Sequence, residues 1–148
     1  MTQTASDAVK QLVESKNIAE GFQKDLKAQE NGEEVFEDEL EESKEIIKEI
    51  EDVIALYLGK EDKRQGIVRN NEMTVMERIS NANWYVSSRQ DGLTETEQTL
   101  MQHARNELKD ALQKTNEFFS EEWAEYRSEM ENIELPVFKE VKTFELGN

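Results

Sequence analysis

Residues 94–132 read TETEQTLMQHARNELKDALQKTNEFFSEEWAEYRSEMEN, without a proline or a glycine. Apolar side chains fall at Leu100, Met101, Ala104, Leu108, Ala111, Leu112, Phe118, Phe119, Trp123, Tyr126 and Met130. Their steps of three, four and one follow a 3.6-residue helix, not the two-residue alternation of a strand. Thr94 and Glu97 form a Thr-x-x-Glu capping box at the start. One helix over 94–132 is predicted, roughly 55 Å long at about 1.5 Å rise per residue. Such a helix has to be packed along its length.

Working outward from it, Asp91-Gly92 reads as a turn and Pro136 as a stop after the helix. Beyond Pro136, residues 137–144 carry Val137, Phe138 and Phe144, apolar enough to pack back. Upstream, residues 71–89 show a stripe at Met73, Met76, Ile79, Ala82 and Val86, extended by Trp84 and Tyr85. Thr74 and Glu77 offer a second capping box. A polar connection over 59–70 precedes it. Residues 33–58 carry Phe36, Leu40, Ile47, Ile50, Ile54 and Tyr57, and Gly59 ends that helix. Residues 4–30 carry Val9, Leu12, Val13, Ala19, Phe22 and Leu26, closed by Asn31-Gly32, residues that readily take the left-handed conformation.

Four amphipathic segments with short connections predict a single all-α domain over residues 1–148: an antiparallel up-down-up-down four-helix bundle with a long last helix and a short apolar C-terminal tail. The segments are unequal, so one end of the pair formed by the second and fourth should project or bend. The expected core is Phe22, Leu40, Ile47, Ile50, Ile54, Ile79, Leu108, Leu112 and Phe119.

Composition agrees with helix. Glu, Lys, Gln, Leu and Ala dominate, with one proline and six glycines. A chain of 148 residues suffices to bury about 70% of its unfolded surface. The formal charge is −16, which disfavours nucleic acid and anionic membranes and could attract a basic partner or divalent cations. Between residues 30 and 52 twelve acids face two bases, Lys44 and Lys48. That run reads as a solvated helix face or as a docking face for a basic surface. No run approaches the about 18 apolar residues of a membrane span. Residues 1–10 have neither the basic nor the apolar region of a signal peptide. Without cysteine, disulfides and thiolate metal sites are excluded.

Chemistry finds little footing. The single His103 is preceded three residues earlier by Leu100, so the Glu-x-x-His of di-iron bundles is missing. His103 reads as a surface or boundary residue. No Gly-x-Ser-x-Gly turn presents a nucleophile. Residues 61–72 place Gly66 and Glu72 as a calcium loop would, but Lys63 stands where an oxygen ligand is required. No catalytic residue, cofactor or metal is assigned. Carboxylate pairs could serve as acid and base, but nearly every spacing occurs in so Glu-rich a chain.

The aromatics remain. Trp84 and Tyr85 precede the Asp91-Gly92 turn with Arg89, and Trp123 and Tyr126 lie late in the long helix with Arg127. They read as core packing at bundle layers, or as anchors of a protein contact, where Trp, Tyr and Arg dominate. Tyr85 and Arg89 share a helix face while Trp84 lies about 100° away. One aromatic, with Trp84 the better candidate, is therefore expected to pack inward while the other faces out. The partner-contact set is Tyr85, Arg89, Trp84, Asp91, Trp123 and Arg127.

Three pieces carry a family resemblance: Lys63-Arg64-Gln65-Gly66, Leu93-Thr94-Glu95-Thr96-Glu97, and Trp123 through Phe138 with Leu135-Pro136. In this order the chain resembles the helical C-terminal region that follows the β-propeller in bacterial sortilin-like proteins with BNR/Asp-box repeats, often labelled glycosyl-hydrolase-like or photosystem-assembly-factor-like. The motifs are short, and the chain has neither propeller strands nor an Asp-box, so no hydrolase residue carries over. The resemblance implies an accessory domain of an exported bacterial protein; without it, a cytoplasmic protein is expected. The function expected is a noncatalytic accessory or interaction domain, packing on a neighbouring propeller-type domain or a separate protein partner. The alternative is an acidic protein that captures a basic partner or mimics nucleic acid. A Glu-based enzyme in an interhelical cleft ranks behind both.

Overall fold

The computed structural model describes residues 1–60, 73–87 and 92–135. The calcium-loop-like stretch, the Lys63–Gly66 motif, Arg89, Asp91, Pro136 and the apolar tail lie outside the described residues. Every regular element among those described is helical: α1 (Thr2–Lys27), α2 (Gly32–Val35), α3 (Glu37–Leu58), α4 (Val75–Ser87), α5 (Glu95–Ser120) and α6 (Glu122–Met130). None is long and apolar enough to cross a membrane.

The punctuation follows the residues. Asn31 adopts the left-handed conformation (φ 54°, ψ 29°), and a Cβ on Gly32 would sit 2.0 Å from the Leu26 carbonyl oxygen. Only glycine lets the backbone approach that closely. Gly59, at φ 80°, ends α3 and donates its N–H to the Ala55 carbonyl over 2.8 Å. Both capping boxes form. The Thr94 N–H donates to Glu97 Oε2 at 2.7 Å, and the Thr74 N–H donates to Glu77 Oε2 at 2.8 Å. Glu37, Asp38 and Glu39 fill the first turn of α3, where negative charge complements the helix dipole.

The core runs in heptads. Ala5, Leu12, Ala19 and Leu26 recur every seventh residue of α1 and are fully buried. Ser43, Ile50 and Tyr57 do the same on α3, and Glu97, Ala104, Ala111 and Phe118 recur at the same spacing, buried, on α5. This is the seam of helices packed nearly in line. Burial of Leu12, Leu26 and Ile50 contributes about 1.5–3 kcal/mol each. Of the expected core, Leu40, Ile50, Ile79 and Leu108 are buried, and Phe22, Ile47, Ile54, Leu112 and Phe119 are partly buried against them.

The predicted single helix over 94–132 is two helices, bent at Glu121 (φ −113°, ψ −84°). Continued past Phe118, the α5 seam would bring Glu122, Glu125 and Glu129 inward, whereas the apolar residues Trp123, Tyr126 and Met130 stand one place later. The bend lets Tyr126 and Met130 be buried instead. Ser120 lies at the bend with its hydroxyl donating to the Glu117 carbonyl at 3.0 Å, a back-bond that bends helices.

The chain directions differ from the expected up-down-up-down order. Along α6 and α5, Tyr126 meets Ser43, Thr115 meets Tyr57 and Glu107 meets Arg78. The numbers on α3 and then α4 rise as those on α5 and α6 fall. So α3 and α4 follow one another in the same direction, with Gly59 of one against Thr74 at the start of the other. The lengths require it: α5 and α6 have 26 and 9 residues, α3 and α4 have 22 and 13. One partner helix could not cover so long a rod. α1 packs along α3, tied by Lys16 Nζ donating to Glu51 Oε1 at 2.6 Å. Among the described residues the α4–α5 hairpin therefore reaches past the end of α3, which meets the start of α4, and has the start of α1 beside it, where Asn83 Nδ2 donates to Thr2 Oγ1 at 3.2 Å.

Candidate functional site

The α4–α5 hairpin buries one stripe of α4: Val75, Ile79 and Ala82. Position 84 lies about 200° around the helix from position 82, and among the described residues no third helix covers that side. Trp84 is accordingly 65% exposed and Tyr85 46%. This corrects the expectation that one of them, Trp84 first, packs inward. The two rings meet edge to face, 5.1 Å apart at 79°, a geometry favoured by the aromatic quadrupole. The Ser87 hydroxyl donates to the Trp84 carbonyl at 3.2 Å and holds the last turn of α4.

Beneath the aromatics a cavity of about 410 Å³ opens between the two helices, floored by Ala82, Leu100 and Ala104 and edged by Met73, Arg78, Asn81 and His103. Arg78 Nε lies 2.6 Å from Glu107 Oε2 and pairs α4 with α5 across one side. Asn81 Nδ2 approaches the Met73 sulfur at 3.9 Å. Met73, about half exposed, extends the apolar surface. An apolar recess with a few polar groups on its rim suits an inserted side chain.

Of the six residues singled out from the sequence, the structure brings Trp84 and Tyr85 together; Arg89 and Asp91 are outside the described residues. Trp123 and Arg127 belong to α6, away from the hairpin. Trp123 is partly buried, its ring packing on Phe119 (6.4 Å) and Tyr126 (5.6 Å). Arg127 is exposed and donates to Glu131 at 2.6 Å. Sequence reasoning missed Met73, Arg78 and Asn81. The signal that could have found them is helical spacing: 78, 81 and 85 lie on one side of α4, next to the stripe of Val75, Ile79 and Ala82.

A second groove of about 230 Å³ lies between α3 and α6, lined by Glu42, Glu45, Ile46, Glu49, Glu122, Glu125, Tyr126 and Glu129. Burial, then a hydrogen bond with Glu129 and its charge, hold the Glu42 carboxyl above its ordinary value. Burial, then the charge of Glu122, do the same to Glu49. Among the described residues no cluster of His, Asp or Glu is arranged to hold a metal ion.

No family model, curated protein or solved structure matches the chain.

Proposed function

We propose that the chain is a noncatalytic helical interaction domain that binds protein through the α4–α5 hairpin. The observation that carries this reading is the Trp84–Tyr85 pair, exposed at the rim of an apolar recess. A Trp or Tyr side chain exposed to this degree forgoes substantial burial energy, and such residues are the usual anchors of protein contacts. The rest of the fold holds the pair rigidly: the Thr74 and Thr94 caps fix both helix starts, and Arg78–Glu107 joins the helices. Attachment to a β-propeller neighbour in an exported bacterial protein rests on the sequence resemblance alone.

A photocrosslinking amino acid at position 84 tests the reading in cells. Adducts to protein are expected from position 84 and not from a control at exposed Val13, and they should weaken when Tyr85 is changed to Ala with thermal stability preserved. Equal adducts at both positions, or none, would sink it.

A second reading, capture of a basic protein, draws on one observation. Residues 1–60 hold sixteen acids against seven bases, and residues 110–135 hold eight against two. On this reading the α1, α3 and α6 surface recruits the partner by charge. Binding would then fall steeply with salt, while hairpin binding would not.

A further inference from the structure

The charge of −16 is not spread over the molecule. Residues 73–109, which build the hairpin, carry five acids and four bases, whereas the two acidic stretches flanking them in sequence carry almost the whole excess. The hairpin is a near-neutral head on an acidic body. It is also where Met73, Trp84 and Tyr85 stand exposed around one recess.

The geometry points to a second copy of this chain as the occupant of the hairpin surface, two heads meeting about a twofold axis. The inference rests on the reading of the hairpin as a contact surface and names what covers it. Three observations converge. Two copies meeting body to body would bring like charge against like charge, and only the head can approach its equal without that repulsion. A head this close to neutral offers little field of its own to draw in a strongly charged partner, so its contact is one of apolar and aromatic surface. The buried stripe of the hairpin joins the common core with α1 and α3, while the side with Trp84 and Tyr85 stays exposed, and two hairpins face to face supply a four-helix layer over that side. A twofold contact is self-complementary, the same patch on both sides. The Arg78–Glu107 pair beside the recess suits it, because each copy presents both signs to the other. In such a contact one Trp84 enters the recess of the opposite copy, reaching toward Leu100 and His103.

Sedimentation over a concentration series, at low and at high salt, tests this. The native chain is expected to pass from monomer to dimer below about 1 mM, and salt should tighten the dimer, because it screens the residual repulsion of the acidic bodies. Changing Trp84 and Tyr85 together to Ala should weaken the dimer at least about tenfold. Changing exposed Ile18 on α1 to Ala should leave it intact. If the double variant melts early, Trp84→Glu alone serves, placing like charges face to face. The chain has no cysteine, so a single Asn81→Cys substitution gives an unambiguous report: oxidation should link two copies. A chain that stays monomeric at every concentration and salt overturns the inference, as does a dimer indifferent to Trp84 and Tyr85. Position-84 crosslinks to a different protein, with no self-linked product, would retain the contact surface and reject the second copy.

Discussion

Tyr57 donates its phenolic hydrogen to Thr115 across 2.7 Å, buried between α3 and α5. The direction follows from the neighbouring bond. The Thr115 hydroxyl has one hydrogen, and it goes to the Ala111 carbonyl at 2.8 Å, so Thr115 can only accept from Tyr57. Burial pushes the Tyr57 hydroxyl pKa up, against the opposing effect of that bond. Two heptads back along α3, Ser43 and Tyr126 repeat the pairing at 2.9 Å. These polar pairs fix the register of α3 against the bent rod.

The asymmetry of donor and acceptor makes a prediction. Thr115→Val leaves the buried Tyr57 hydroxyl with no acceptor, at a cost of about 1–3 kcal/mol, while Tyr57→Phe removes the donor as well and should cost only about 0.5–1.5 kcal/mol. Urea midpoints should therefore fall further for Thr115→Val. The reverse order would mean that the hydroxyl finds another partner.

Two glycines should respond in opposite directions to the same change. Gly32→Ala forces a methyl to within 2.0 Å of the Leu26 carbonyl oxygen, which is backbone and cannot swing aside. A loss of about 3 kcal/mol is expected, the upper end for overpacking. Gly21, inside α1, has nothing within 4 Å of where a Cβ would stand, so Gly21→Ala should gain about 0.5–1 kcal/mol from helix propensity. Thermal melts of the two variants, shifted apart in sign, check it.

Much of this fold is legible in the sequence because its signals are local. Thr94 with Glu97, Thr74 with Glu77, Asn31-Gly32 and Gly59 each act within one turn, and each mark stands where the chain stops or starts a helix. What is not legible depends on distance. The connection after Gly59 is read as a reversal because short links usually reverse, yet the choice is made by the length of α5 and α6, which needs α3 and α4 in succession. The bend at Glu121 replaces no proline or glycine; it follows from a one-residue slip between the seam ending at Phe118 and the stripe of Trp123, Tyr126 and Met130. At the candidate site, Trp84 and Tyr85 stand out by residue type, but their exposure depends on which sides of α4 the other described helices cover. No pattern within α4 encodes that.

Burial separates two isoleucines that look alike in sequence. Ile50 is fully buried and Ile18 is 63% exposed. Ile50→Ala should cost about 2–5 kcal/mol through lost burial and a cavity, and Ile18→Ala should stay within about 0.5 kcal/mol. Denaturant midpoints that move equally would show that α1 presents a different face.

The groove between α3 and α6 should make stability depend on pH in an unusual direction. Glu42 stands against Glu129 and Glu49 against Glu122, with Glu45 and Glu125 on the same walls; Ile46 and Tyr126 complete the lining, and among the described residues no lysine or arginine belongs to it. The charges that add to burial on Glu42 are those of Glu129, Glu39 and Asp38; on Glu49 they are those of Glu122, Glu45 and Asp52. Both carboxyls are held above their ordinary value in the fold. A folded-state pKa above the unfolded one means that the folded chain binds more protons in the interval between them. Stability contributed by these groups therefore rises as pH falls from neutral through the raised values, and levels off below the ordinary carboxylate range. Asp52 works the other way: the hydrogen bond from Lys60 holds its carboxyl below its usual value, so its contribution is kept at neutral pH and lost only as pH falls through the lowered value. Urea unfolding between about pH 7 and pH 5 should thus show midpoints climbing on acidification. Changing Glu42 and Glu49 together to Gln should raise the midpoint at neutral pH and flatten the climb, and added salt should narrow the gap between variant and native chain. A double variant less stable than the native chain at neutral pH would mean that the facing glutamates are held by cations or by geometry that favours their charge, and would remove the repulsion on which the prediction stands.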